Sequence, residues 1–341
     1  MLQLANKTPF AASLFLLPNR EGIDTVFVVV KATFTLHPTV AVAEKQVPVC
    51  LADEYVGKPG HSSLRYASEL HIGKPGTDIA LVGHARPPAS TAEHLMVSLC
   101  VADQAHEIEV FGDRTWGYFG PSAPQPFEAM PLLFERAYGG TQVLSETKVL
   151  AEERNPVGVG FLGKRRSTEL MGTPVPNLED PRHPLRSIGD RQTPTCFGFV
   201  APSWLPRRAY AGTYDATWQR SRAPYLPSDF DARYFHAAAE GLCFASPLTG
   251  GEPCSLLGVS SQGPMTFTLP RCEWRIDIRL AGKVETPPSR LETVLIEPDE
   301  NRFSLSYRAE LACDRRPLQV EQVTVSLQHM EHVTESSRGA A

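Results

Sequence analysis

The stretch from Cys272 to Leu280 restricts the fold of this chain more than any other. Cys272, Trp274, Ile276, Ile278 and Leu280 alternate there with Glu273, Arg275, Asp277 and Arg279. Successive side chains on a strand point to opposite faces, so this pattern predicts a β-strand with one buried face. Slipping its register by one residue would bury four charges, so the register should be firm. The same period returns near the other end of the chain. Val26, Val28, Val30, Ala32, Phe34 and Leu36 fall on one face and form a buried stripe, while Phe27, Val29, Lys31, Thr33 and Thr35 fall on the other. Phe10–Leu17 is a natural partner, joined through the turn-forming run Pro18-Asn19-Arg20-Glu21-Gly22.

Further strands are predicted at Glu69–Ile72, Asp78–Ala85, Leu95–Val101, Glu107–Phe111, Leu291–Ile296, Arg302–Leu311 and Val320–Leu327, with Glu297–Asn301 as a hairpin loop. Between the two β-rich ends lies a different kind of sequence. The chain has 30 prolines in 341 residues, and they cluster between Pro121 and Pro270. Proline fixes φ and removes a backbone donor, which excludes long helices and central strands there. Yet Trp116, Tyr138, Trp204, Tyr210, Tyr214, Trp218, Tyr225 and Phe235 run through the segment, so it should be ordered but irregular. About two thirds of these aromatics are read as anchors onto the core, and the rest as surface for a partner. Only short helices fit: Ala216–Arg220 capped by Asp215, and Phe230–Ala237 capped by Asp229.

The predicted class is therefore all-β, with sandwich or barrel-like antiparallel sheets, a long proline-rich irregular middle and a few short helices. Strands from the two ends should share one core. The expected organisation is one domain over residues 1–330, with N-terminal strands in 8–112, the irregular middle in 113–265 and C-terminal strands in 266–328. Residues 329–341 are expected to fray.

The bulk numbers exclude several function classes. A net charge of -5 and a pI near 6.1 give no basic footprint for nucleic acid. No apolar run approaches the length of a membrane span, and the first residues lack the pattern of a signal peptide. Seven cysteines, an odd number without CxxC spacing, argue against a disulfide framework and a zinc site. Together these point to the cytosol, with no membrane insertion and no nucleic-acid partner.

Four patterns imitate catalytic motifs. Gly158-Val159-Gly160-Phe161-Leu162-Gly163-Lys164-Arg165 contains GxGxxG and GxxxxGK. A phosphate cradle needs a buried strand before it and a hydroxyl after the lysine, and this segment has neither, so the segment reads as a close-packed loop pinned by Phe161. Ser260-Ser261 misses the GxSxG spacing. The histidines, among them His71, His84, His329 and His332, lack metal-ligand spacing. Glu135, Asp180, Asp215, Asp229 and Asp231 contain the raw material of a glycosidase pair. The simpler reading makes Asp215 and Asp229 helix caps and Glu135-Arg136 a loop-holding salt bridge. No catalytic residue, cofactor or metal is assigned.

A series of ordered motifs in the middle carries a resemblance. It runs Met130-Pro131-Leu132-Leu133-Phe134-Glu135-Arg136-Ala137-Tyr138-Gly139-Gly140, then Asn155-Pro156-Val157-Gly158-Val159-Gly160-Phe161, Pro176-Asn177-Leu178-Glu179-Asp180-Pro181, and Phe197 to Arg207. It ends with Ala211-Gly212-Thr213-Tyr214-Asp215 and Leu226-Pro227-Ser228-Asp229-Phe230-Asp231. Asn6–Phe10 and Val30–Phe34 extend it over nearly the whole chain. The series resembles a family once labelled only as a domain of unknown function, encoded in bacterial type VI secretion loci beside toxic effectors and spike proteins. That resemblance implies a non-enzymatic adaptor, or chaperone, that binds an effector or its spike-tip domain and promotes loading onto the secreted spike. The alternatives are a carbohydrate-active or other hydrolytic enzyme on a β scaffold, and a structural part of the secretion machine. Loops on a rigid β scaffold carry function more often than its strands do. The expected partner-binding residues are accordingly Glu135, Arg136, Tyr138, Gly139, Asn155, Pro156, Gly158, Phe161, Arg165, Gly212, Tyr214 and Asp215.

Overall fold

The computed structural model describes residues 3–313 and 319–333. It is strand-rich, with one short α-helix, Ala216–Ser221, among the described residues. No helix among them is long and apolar enough to cross a membrane.

Three sheets form the frame. The first has the order Ala11–Pro18, Asp24–Thr35, Arg302–Ala312, Ser289–Glu297 and Asp78–Leu81. Its middle pairs Val28 with Ala309 and Phe34 with Phe303, so the two ends of the chain hydrogen-bond within one sheet. The second has the order Gln3–Asn6, Val320–Glu331, Arg271–Leu280 and Lys283–Glu285, again joining both ends. The third has the order Leu178–Glu179, Gln104–Phe111, His94–Val101, Pro253–Leu257 and Met265–Thr268. Most pairings are antiparallel. Within these three sheets two are parallel: Gln3–Asn6 on Val320–Glu331, and Asp78–Leu81 on Ser289–Glu297.

The alternation that predicted Cys272–Leu280 is realised. Cys272, Trp274, Ile276 and Ile278 are buried, and the charged residues between them lie outward. Trp274 packs edge-on against Phe10 at 5.5 Å and against Tyr307 at 5.6 Å, so the second sheet lies on the apolar face of the first. Phe267 of the third sheet meets Phe303 of the first at 4.9 Å. The Glu297–Asn301 hairpin forms as expected, with Asn301 in the left-handed region at φ 51° and its amide bonded to the backbone of His37.

Several expectations need correction. Glu69–Ile72 is not a strand; the nearby strand is Leu64–Tyr66, and Glu69 is buried as an ion-pair partner. Asp78–Ala85 breaks at Gly83 into Asp78–Leu81 and His84–Ala85. The second helix of the middle is a 3-10 turn, Ala232–Phe235, capped by Asp231 rather than Asp229. The last strand continues to Glu331, so residues 329–331 are ordered within a sheet; 334–341 lie outside the described residues.

The largest departure concerns the first sheet. Its second face is buried too, and beyond Phe27 and Val29 it is polar. Lys31 and Thr33 share that face with Ser304, Ser306 and Arg308, and the segment from Cys50 to Asp78 covers it. Lys31 Nζ lies 3.0 Å from Glu69, whose carboxylate also accepts from the Cys50 amide and from Ser306 Oγ. Arg308 Nε lies 2.6 Å from Glu292, and the same guanidinium donates to the carbonyls of His71 and Glu69. A register shift at Leu291/Thr293 lets both Glu292 and Thr293 reach this layer. Lys74 Nζ donates to Asp78 at 2.7 Å and to Thr293 at 3.0 Å. Buried charges survive only when paired and hydrogen-bonded, and this layer meets that requirement through contacts that cross the chain.

The layer has a pH signature. Burial, and then the nearby Arg308 and Lys74, hold the His71 imidazole well below its ordinary pKa; burial also lowers His106. The unfolded chain would therefore bind protons near pH 6.5 that the folded chain does not. The stability from keeping these rings neutral is complete above that pH and is lost as pH falls below it. Melting temperature should stay level down to about pH 6.5 and then decline. In His71→Gln the decline between about pH 6.5 and 5 should be shallower. An equal slope in both proteins would remove His71 from the account.

Candidate functional site

Two of the three motif groups expected to bind a partner come together. Tyr138–Gly139 pairs in parallel with Val159–Gly160, a contact between segments that have no long strand of their own. Asn155 makes this possible. Its side-chain amide donates to the carbonyls of Phe134 (2.7 Å) and Tyr138 (3.0 Å), and its own carbonyl accepts from Gly140. Gly139 has φ 154°, and a Cβ there would stand 2.1 Å from the Asn155 carbonyl oxygen, so only glycine fits. Asn155→Ala would take this donor from both buried carbonyls and leave the Phe134 carbonyl with the Ala137 amide alone. It should cost about 2–3 kcal/mol in urea unfolding; a loss below about 0.5 kcal/mol would show that water replaces the amide.

This geometry changes the reading of single residues. Tyr138 is 4% exposed and Asn155 is also buried, so these two support the site from beneath, while buried Gly139 lines its groove. The Glu135–Arg136 salt bridge does not form. Glu135 instead accepts from the Ser63 amide and hydroxyl, each at 2.7 Å, and Arg136 binds Asp113 at 2.9 Å and Asn177 at 3.2 Å. Pro156, Gly158, Phe161 and Arg165 are half-buried. Gly158, Phe161 and Arg165 line a groove of about 280 Å³ with Gly139, Thr173 and Pro174. Arg165 bridges the groove by donating to the carbonyls of Phe161 and Thr141. The third group, Gly212–Asp215, is tied to a different loop. Thr213 bonds Asp229 through amide and hydroxyl, Asp215 caps Ala216–Ser221 by accepting from the Trp218 amide at 2.8 Å, and exposed Tyr214 packs on Trp218.

Beside the groove stands a feature the sequence reading passed over. Trp116 pairs with Pro121 and Gly117 with Gly120, which leaves Tyr118 and Phe119 as a two-residue hairpin loop. Trp116 is buried in a small core of its own with Leu170, Val175 and Leu185, against which Leu162 and Ile188 pack. That core connects the hairpin to the groove, because Trp116 exchanges backbone hydrogen bonds with Gly172 and Thr173. Tyr118 is 87% exposed and Phe119 is fully exposed. The signal was present as two aromatics between two glycines, Gly117-Tyr118-Phe119-Gly120. A second hairpin, Thr141–Ser145 with Lys148–Ala151, exposes Val143 and Val149 as a cross-strand pair.

The motifs that imitate catalysis find other roles. The Gly158–Lys164 loop leads into a 3-10 turn, Ser167–Glu169, and not into an α-helix N-terminus, and Lys164 is exposed. Asp180 binds Arg182 and His183, and Asp231 binds Arg233. His84 binds Asp299, while His71 is stacked on Phe235. Asp78, His236 and Cys243 bring ligand atoms within 4.8 Å of one another. A metal does not fit them as they stand. The carboxylate of Asp78 already accepts from Lys74, from His236 Nδ1 at 2.6 Å and from the Ala237 amide, so an ammonium group supplies the cation. Burial alone would raise the Asp78 pKa, but Lys74 and His236 together hold it far below the usual carboxylate range. Burial and then Asp78 push the Cys243 thiol up, the wrong direction for a nucleophile.

Fold and site together define a β-rich protein with an ordered, glycine-dependent loop surface and an exposed aromatic hairpin. Residues 21–308 match the model of a family described as an uncharacterized protein conserved in bacteria (DUF2169), and the chain belongs to that family. Neither a curated protein nor a solved structure matches it.

Proposed function

We propose that the chain is a non-enzymatic adaptor, working in the cytosol, that holds a type VI secretion effector or its spike-tip domain and promotes its loading onto the spike. The observation that carries this reading is the Tyr118–Phe119 hairpin. Two large aromatics extend into solvent from a hairpin that has its own core, packing on each other and outside both buried cores. Aromatics placed this way supply large contact area at low entropic cost, which is the property of interface anchors. The adjoining groove and the Val143/Val149 hairpin extend the same apolar, ordered surface. The motif resemblance supports the choice of partner class.

Deleting the gene is expected to stop delivery of the neighbouring effector while the spike itself is still secreted. Unchanged effector delivery would contradict the reading, and so would loss of spike secretion as a whole, which would make the chain a structural part of the machine.

A further inference from the structure

A separate cavity of about 510 Å³ opens between the 3-10 turns Arg207–Tyr210 and Ala232–Phe235. Its walls are mostly apolar, with Val200, Leu205, Pro206 and Ala238 prominent among them. At its inner side lies Arg207, 7% exposed. The Arg207 guanidinium donates through Nε to the Tyr234 carbonyl at 2.9 Å and through Nη1 to the Val200 carbonyl at 2.6 Å. Its Nη2 has no hydrogen-bond partner among the described residues, and no carboxylate lies within ion-pair distance. The other arginines at the cavity are engaged: Arg154 with Glu152 and Arg233 with Asp231. Glu240, the one carboxylate on the lining, is exposed.

An arginine remains charged in any protein setting, and burial opposes that charge here; Asp53 and Asp78 favour it from beyond ion-pair distance, so no carboxylate is in contact with it. The guanidinium is held by two carbonyls and lies over the Tyr234 ring at 5.4 Å, with Nη2 unbonded and the residue on the lining of the chamber. We propose that this cavity binds a carboxylate carrying an apolar side chain or tail, with the carboxylate on Arg207 Nη2 and the apolar part against Val200, Leu205 and Ala238. One spare donor suits a monoanion; a phosphate dianion would need several more donors to leave water. The volume falls in the range of small-ligand pockets and also holds the last residues of a peptide. Two sources offer this chemistry, a free organic acid and a polypeptide C-terminus ending in an apolar residue. The inference does not depend on the adaptor reading.

Isothermal titration of the full chain tests it with three probes: octanoate, an acetylated tetrapeptide ending in leucine with a free carboxylate, and the same peptide amidated. At least one of the two acids should bind with Kd below ~1 mM, and the amide should not. Binding of octanoate alone assigns the site to organic acids; binding of the peptide acid alone assigns it to chain ends. Arg207→Gln should weaken binding at least about tenfold. Since Arg207 also anchors two carbonyls, that variant has a partner: Ala209→Phe, at an exposed position on the cavity wall, which should fill the chamber and weaken binding as much while melting like the parent. Failure of both acids to bind, equal binding of the amide, stronger binding of inorganic phosphate, or undiminished binding in Ala209→Phe would each overturn the proposal.

Discussion

Asp78→Ala is expected to be among the most destabilising single substitutions in this chain, lowering the unfolding free energy by about 3–5 kcal/mol. Asp78 is fully buried and accepts from Lys74 Nζ at 2.7 Å, His236 Nδ1 at 2.6 Å and the Ala237 amide at 2.8 Å. Removing it strands the Lys74 ammonium, itself 4% exposed at the side chain, with Thr293 as its remaining side-chain partner. It also removes the side-chain bonds that tie His236 and Ala237 to the edge strand Asp78–Leu81, leaving the backbone bonds from Ile79 to Leu242 and from Leu81 to Phe197. Because the cost is chiefly that of an orphaned charge, adding Lys74→Met should recover part of it, so the double variant should be more stable than Asp78→Ala alone. Urea unfolding of the four proteins completes the cycle. A loss under about 1 kcal/mol for Asp78→Ala would mean that the polar layer is hydrated, and that its ion pairs contribute as surface pairs do.

The second large effect is on binding and should leave stability untouched. Tyr118→Ala with Phe119→Ala removes two side chains that have no part in the packed cores, so melting temperature should change by no more than about 1–2 °C. If the hairpin anchors a partner, the loss at two central aromatics should exceed about 2 kcal/mol, a weakening of about thirtyfold or more. The contrast with Asn155→Ala separates anchor from scaffold, since Asn155 should act on stability first and on binding only through it. A double variant that binds normally would move the docking surface away from the hairpin.

The sequence made the strands legible wherever one face is apolar and the other charged. Cys272–Leu280 is the clearest case, and its register and burial follow from the alternation alone. The polar face of the first sheet was hidden for the same physical reason. Lys31, Thr33, Ser304, Ser306 and Arg308 look like solvent residues in a period-two pattern. They are buried because the segment that carries Glu69, remote in sequence, covers them, and because the register shift at Leu291/Thr293 lets Glu292 reach Arg308 from the neighbouring hairpin strand; no local rule foresees either. Glu69–Ile72 failed as a strand through the same long-range effect. The Asp229 cap was misplaced because Asp229 and Asp231 are both acceptable caps by spacing, and only Thr213, some 16 residues earlier, decides between them.

The partner surface was legible only in part. Glycines at Gly139, Gly140, Gly158 and Gly160 marked a tight loop pair, and the chain does fold them together around Asn155. Their separation from Gly212–Asp215 needed the hydrogen bonds of Asp229. Tyr118 and Phe119 escaped because aromatics near prolines are ordinarily core anchors, as Trp116 and Trp204 are here.

The central claim is that this chain holds a secreted partner through the Tyr118–Phe119 hairpin. Its most direct test is quantitative co-purification of the tagged wild-type chain and of the Tyr118→Ala/Phe119→Ala variant from the producing bacterium. The account predicts that an effector or spike-tip protein encoded beside the gene is retained by the wild type and reduced at least about tenfold in the variant, at equal chain levels and equal melting temperature. Recovery of the wild-type chain without such a protein, or equal retention by both chains, would contradict it.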